Sequence, residues 1–261
     1  MIASVFAARR KDGRAALIPY VTAGHPSADS TVPVLHALAD AGADIIELGV
    51  PFSDPLADGP TIQKSSFTSL ENGTTVEGVL ADLERFRAER ETPVVLFTYL
   101  NPVLRYGVAR FLDDAVESGA DGLLLTDLPL GADPELEGVI GESPLDFIRL
   151  VAPTTEVDRV PQIADGGSGF LYYISRTGVT GARSELRTDL AEEVEALRTG
   201  VGLPVAVGFG ISTPEQAREV AAVADGVVVG SALVRIMDEE GVEAGARFVA
   251  ALRAAMDVDR D

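Results

Sequence analysis

The 261-residue chain contains no cysteine. That absence excludes a disulfide framework and any cysteine–zinc site. Histidine is nearly absent too: His25 and His36 are the only two, and no metal-ligand spacing surrounds them. No serine or cysteine stands in a triad pattern. No apolar run is long enough to cross a bilayer as a helix. Basic residues are scarce, with 21 Lys and Arg against 41 Asp and Glu and a formal net charge of −20. Nucleic acid and anionic membrane need clustered positive charge, so both are poor partners for this chain. The stretch from Met1 to Arg10 carries its basic residues after its apolar ones. A secretory signal has the opposite order, so the stretch reads as a short helix. Together these features fit a cytoplasmic protein. The acidity also sets a condition. An anionic ligand must be held against the overall field by locally aimed backbone N–H groups.

What the chain does have is a repeated grammar. Hydrophobic residues make up 46% of it, enough for a sizeable core. Short runs rich in Val, Ile and Leu are each followed by a Gly/Pro/Asp turn and a helical stretch. The runs are Ala16–Thr22, Asp44–Val50, Pro93–Tyr99, Gly122–Leu128, Asp146–Ala152, Gly169–Ser175, Pro204–Gly210 and Gly226–Ala232. Such continuous apolarity predicts parallel strands buried on both faces. Between them the spacing is helical, as for Val32, Leu35, Leu38 and Ala39 on one face. Three helix-to-strand joints are alike: Ala41-Gly-Ala-Asp44, Ser118-Gly-Ala-Asp121 and Val223-Ala-Asp-Gly226. Eight strand–helix units in this length predict a single (β/α)8 TIM barrel domain over residues 1–261, with an extra N-terminal helix. An open doubly wound sheet predicts a Gly-x-Gly-x-x-Gly turn after the first strand. Thr22-Ala-Gly-His-Pro26 lacks that pattern.

Barrel chemistry lies at the C-terminal ends of the strands. The second run carries Glu47, which alternation places with Ile45 and Gly49 on the face toward the barrel mouth. Buried there, it is either an acid–base group with a raised pKa or a carboxylate neutralised by a buried Arg or Lys. The following loop holds Asp54 and Asp58 between Pro51, Pro55, Gly59 and Pro60. Such a stiff loop either places a carboxylate accurately or carries solvated charge, and position alone does not separate the two acids. Glycine-rich turns follow the seventh run (Gly208-Phe-Gly-Ile-Ser212) and the eighth (Gly230-Ser231). Barrels bind phosphate at those two positions, so the pair predicts a phosphate site, with ordinary helix caps as the alternative. After the sixth run, Ser175-Arg-Thr-Gly-Val-Thr180-Gly181 has the composition of a mobile loop, and Arg176 is either a phosphate clamp or a loop anchor. His25 has no carboxylate partner near it in sequence, and His36 reads as a surface or packing residue of a helix.

Five stretches then carry a resemblance. They are Pro19-Tyr-Val-Thr-Ala-Gly24, the eighteen residues Ile46–Gln63, Thr98-Tyr-Leu-Asn-Pro-Val103 with Tyr106-Gly107, Tyr173-Ile-Ser-Arg176 with Gly178-Val-Thr-Gly181, and Val207-Gly-Phe-Gly-Ile-Ser212 with Gly230-Ser231. In this order, over nearly the whole chain, they resemble the tryptophan synthase α-subunit family. The resemblance implies cleavage of indole-3-glycerol phosphate to indole and glyceraldehyde 3-phosphate. It implies Glu47 as the general acid–base residue and Asp58 as the carboxylate on the indole N–H. Tyr172 stands beside the substrate. Thr180 couples loop closure to catalysis. Gly181, Phe209, Gly210, Gly230 and Ser231 bind the substrate, the glycines and Ser231 at its phosphate. Asp54 and Pro55 face a β subunit, expected to carry pyridoxal phosphate in an α2β2 assembly. This chain itself is expected to need no cofactor and no metal. A stand-alone indole-releasing lyase is the alternative within the family. A catalytically weak allosteric barrel is disfavoured by the intact Glu47 and Asp58, and an unrelated phosphate-binding isomerase by the long Pro-rich loop. Two departures stand out: Tyr20 where Phe is more usual, and a polar helix Lys64–Asn72 in place of an Ala/Arg-rich one.

Overall fold

The computed structural model describes residues 1–174, 190–208 and 210–258. Its eight parallel strands are β1 (Ala16–Thr22), β2 (Ile46–Gly49), β3 (Val94–Thr98), β4 (Gly122–Leu125), β5 (Asp146–Val151), β6 (Leu171–Ile174), β7 (Val205–Gly208) and β8 (Gly226–Val229). They close in sequence order, with β8 pairing back to β1. The helices are α1 (Ile2–Lys11), α2 (Thr31–Asp40), α3 (Pro60–Glu71), α4 (Val76–Arg87), α5 (Leu100–Tyr106), α6 (Val108–Glu117), α7 (Pro134–Glu142), α8 (Val160–Asp165), α9 (Leu190–Gly200), α10 (Pro214–Ala221), α11 (Ser231–Glu240) and α12 (Val242–Met256). The expected TIM barrel is present, as is the short N-terminal helix. Several apolar runs outlast their strands. The eighth runs into the next element, because Ser231 and Ala232 already belong to α11.

Alternation along the strands divides the core in two. Ala16, Ile18, Ile45, Val95, Leu124, Ile148, Tyr172, Ala206 and Val228 fill the barrel interior. Their neighbours in sequence, such as Leu17, Ile46, Leu48 and Val227, pack outward against the helices. On α2 the buried face runs through Val34, Leu35 and Leu38, so Val34 rather than Val32 is the core residue of the first turn. The helix α1 plugs the base of the barrel. Ile2 and Phe6 join the interior cluster, and the Phe6 ring lies 5.5 Å from that of Phe170.

The base also explains the three similar joints. Asp44, before β2, accepts the Leu17 N–H of β1 at 2.8 Å. Asp121, before β4, accepts the Val94 N–H of β3 at 3.0 Å. Asp225, before β8, accepts the Val205 N–H of β7 at 2.9 Å. The hydroxyl of Ser168 does the same for the Phe147 N–H of β5 at 2.8 Å. Each odd strand therefore has its first free N–H capped by a side chain from the next strand's entry. Arginines meet all three acids: Arg9 and Arg253 meet Asp44, Arg87 meets Asp121, and Arg10 and Arg198 meet Asp225. The base is thus spent on stability, which leaves the opposite rim for chemistry.

Candidate active site

Glu47 lies one turn of alternation above Ile45, its Cα opposite Tyr20 of β1 and Val95 of β3. It is 1% exposed, and neither carboxylate oxygen has a hydrogen-bond partner among the described residues. Among the described residues, the alternative of a buried ion pair therefore has no partner to supply it. A lone buried carboxyl takes up a proton rather than bury its charge, and desolvation pushes the Glu47 pKa up to about 8.

The two loop aspartates part company. Asp54 is exposed, and its carboxylate accepts the neighbouring Ser53 hydroxyl at 2.6 Å. Asp58 is half-buried and accepts the Tyr99 phenol at 2.8 Å. The same phenol oxygen accepts the Ala57 N–H at 3.0 Å, so Tyr99 grips the loop twice. Gln63, one turn into α3, donates to the Asp58 carbonyl at 3.0 Å. Burial pushes the Asp58 pKa up, while the Tyr99 hydrogen bond opposes the rise. An acid–base group needs a raised pKa, and a carboxylate on the indole N–H needs a low one. The structure raises both. What distinguishes them is a donor, which Asp58 has and Glu47 lacks.

Two further phenols line the same space. Tyr20, from β1, and Tyr172, from β6, are both buried and both feel the charges of Glu47 and Asp58. Desolvation raises both phenol pKa values, which keeps the rings neutral. Each phenol oxygen lies against a glycine of the next layer: a Cβ at Gly49 would collide with Tyr20, and one at Gly208 with Tyr172. The Tyr20 ring meets Phe97 edge-on at 5.1 Å.

The glycine turns stand side by side, after the paired strands β7 and β8. Gly210 has φ of 79°, a conformation that suits glycine. Gly230 is the N-cap of α11, and Ser231 is that helix's first residue. The opening N–H groups of α11 have no acceptor within the helix, which makes this end a ready anion site. Thr180, Gly181 and Phe209, like Ser175 and Arg176, lie outside the described residues.

The histidines resolve differently. His25 is 3% exposed and meets Asp238 of α11 at 3.4 Å, a partner far away in sequence. Burial lowers its pKa despite that carboxylate. His36 is half-buried, packs edge-on against Phe86 and accepts from Arg90, as a packing residue would.

The family model described as tryptophan synthase alpha chain matches residues 6–258. A tryptophan synthase alpha chain from Geobacter sp. (strain M21) is 50% identical over 256 residues, 97% of this chain and 96% of that one. One from Synechococcus elongatus is 48% identical over 257 residues, 98% and 97% of the two chains. The chain belongs to the tryptophan synthase alpha chain family. Solved structures agree. Tryptophan synthase from Mycobacterium tuberculosis superposes with a TM-score of 0.91 at 38% identity, covering 99% of this chain and 98% of that one. Tryptophan synthase subunit alpha from Legionella pneumophila does so at 0.91 and 37%, covering 98% of each. Membership in the tryptophan synthase alpha chain family makes the chain a carbon–carbon lyase of tryptophan biosynthesis. Its half-reaction is the cleavage of indole-3-glycerol phosphate. Within this tryptophan synthase alpha fold, the sequence argument missed Tyr99. The signals were its place as the last residue of the third apolar run, at the rim where chemistry is expected, and its membership of the matching stretch Thr98–Val103.

Proposed function

We propose that Glu47 and Asp58 perform the cleavage, with Glu47 as the proton carrier. Neutral Glu47 protonates C3 of the indole, and positive charge develops on the ring nitrogen. Asp58, as a carboxylate, accepts the ring N–H and stabilises that charge. The bond between C3 and the carbinol carbon then breaks, and its electron pair returns to the ring. The carbinol hydroxyl becomes the aldehyde of glyceraldehyde 3-phosphate and gives its proton to the Glu47 carboxylate, which restores the acid. Tyr172 packs beside the indole, with Phe209. Gly181, Gly210, Gly230 and Ser231 hold the phosphate and fix the substrate's direction. Thr180 couples loop closure to catalysis.

The observation that carries this reading is the pair of buried Glu47 oxygens, without a hydrogen-bond partner among the described residues. A carboxyl so placed stays poised between its two forms near neutral pH, as an acid that must also act as a base requires. The chain works as one domain. Asp54 and Pro55 face a β subunit in a cytoplasmic α2β2 assembly, with pyridoxal phosphate held by that subunit. The test is indole release by wild type and Glu47→Gln, each with and without β subunit. The variant is expected to bind substrate yet release no indole, and wild-type turnover in it would sink the mechanism. Strong stimulation of the wild type by β subunit supports the heteromeric reading; full activity alone favours a free-standing lyase.

A further inference from the structure

The polar helix noted in the sequence turns its serines inward. Ser65, Ser66 and Ser69 are all buried, while Lys64 and Phe67 face outward. Two of the three serines, with Asn72, anchor α3 to the end of β1 and the loop after it. The Ser65 hydroxyl pairs with that of Thr22 at 2.7 Å, Ser69 donates to the Ala23 carbonyl, and the Asn72 amide donates to the Gly24 carbonyl at 2.9 Å. These contacts fix the rotation and height of α3 on the barrel.

Ser66 reaches a different loop. Its hydroxyl accepts the Phe52 N–H at 2.9 Å and donates to the Phe52 carbonyl at 3.1 Å. One side chain thus closes both backbone groups of a single residue at the root of the loop that carries Asp58. The Phe52 ring lies 5.2 Å from the Tyr99 ring, tilted by 37°. The Tyr99 phenol is the donor to Asp58. Contact therefore runs unbroken from Ser66 through Phe52 and Tyr99 to Asp58.

We propose that Ser66 is a positioning residue for Asp58, holding the Phe52 backbone so that Phe52 and Tyr99 set the carboxylate against the indole N–H. The proposal rests on the reading of Asp58 given above. A hydroxyl is the smallest side chain that both donates and accepts. Alanine at this position leaves the Phe52 N–H and carbonyl without their partner, but it does not weaken α3, because alanine is the best helix former. Threonine keeps the hydroxyl.

The experiment compares kcat and KM for indole-3-glycerol phosphate across Ser66→Ala, Ser66→Thr, Tyr99→Phe, the Ser66→Ala/Tyr99→Phe double variant and Asp58→Asn. A small displacement of a reacting group costs rate steeply, so Ser66→Ala is expected to lower kcat about tenfold. KM should stay within about twofold, since the phosphate end of the substrate is held by other strands. Ser66→Thr should recover most of the rate. The double variant should be no slower than its slower parent, because residues acting through one group are not additive. An unchanged kcat in Ser66→Ala, or losses that multiply in the double variant, overturns the positioning role. Asp58→Asn separates the two claims. A wild-type rate there removes the reading of Asp58 itself, whereas a dead Asp58→Asn beside a normal Ser66→Ala removes only the role of Ser66.

Discussion

At the scale of residues, the site is a contest between burial and hydrogen bonding. Burial pushes both carboxyls toward their neutral forms, and Tyr99 pulls one of them back. A donor to the charged form lowers a carboxyl pKa, so its removal raises that pKa. Tyr99→Phe is therefore expected to shift the acidic limb of kcat/KM to higher pH and to lower kcat at neutral pH by about tenfold, roughly 1.4 kcal/mol. A pH–rate profile measures this, and an unmoved acidic limb would remove the role of Tyr99. Glu47 was legible because strand alternation alone aims it inward. Asp54 and Asp58 were not separable in that way. The contact that distinguishes them comes from Tyr99, 41 residues further on. The Asp238 partner of His25 was hidden for the same reason: only barrel closure brings α11 beside the loop after β1.

At the scale of elements, the strands were legible because parallel strands buried on both faces leave continuous apolar runs. Their ends were not. Leu128 and Ala232 continue the runs but are buried by loop and helix, not by strand pairing. The three similar joints also do more than link helix to strand, since their aspartates clamp the neighbouring strand. Asp44 holds the Leu17 N–H and two arginines. Asp44→Ala takes the acceptor from all three, leaving Arg253 with Asp257 and the Ala15 carbonyl, and breaking such a buried pair costs about 3–5 kcal/mol. Urea denaturation should show that loss while kcat/KM of the folded protein stays within about twofold, because the base of a barrel serves stability. A large change in kcat/KM would contradict that division. At the other rim, a side chain fits at Gly230: its Cβ would meet Tyr20 only at an ordinary 3.4 Å. Gly230→Asp should therefore fold and raise KM at least tenfold, through charge repulsion of the phosphate, roughly 1.4 kcal/mol or more. Gly230→Ala should remain near wild type. Equal KM values for Gly230→Asp and wild type would move the phosphate elsewhere.

At the scale of the whole molecule, a chain of net charge −20 is read as binding an anionic substrate. The field of the surface opposes that binding. The proposed answer is local, in backbone N–H groups at the start of α11 and in the turns beside it. Whole-molecule stability also reports on the central carboxyl. Glu47 has an ordinary value of 4.5 that the fold raises to about 8. Between those limits the unfolded chain ionises Glu47 while the folded barrel keeps the proton. Stability from this group is therefore present at low pH and lost as pH rises through that window. Glu47→Gln does not titrate. The decisive measurement is the difference in unfolding free energy between Glu47→Gln and wild type, followed from pH 5 to pH 9. The expected result is a gap that grows in favour of the variant by a few kcal/mol up to about pH 8 and then levels, at about 1.4 kcal/mol per pH unit at most. A gap that stays flat across the range would mean that Glu47 does not hold a proton in the free barrel, and the acid at the centre of the mechanism would be lost.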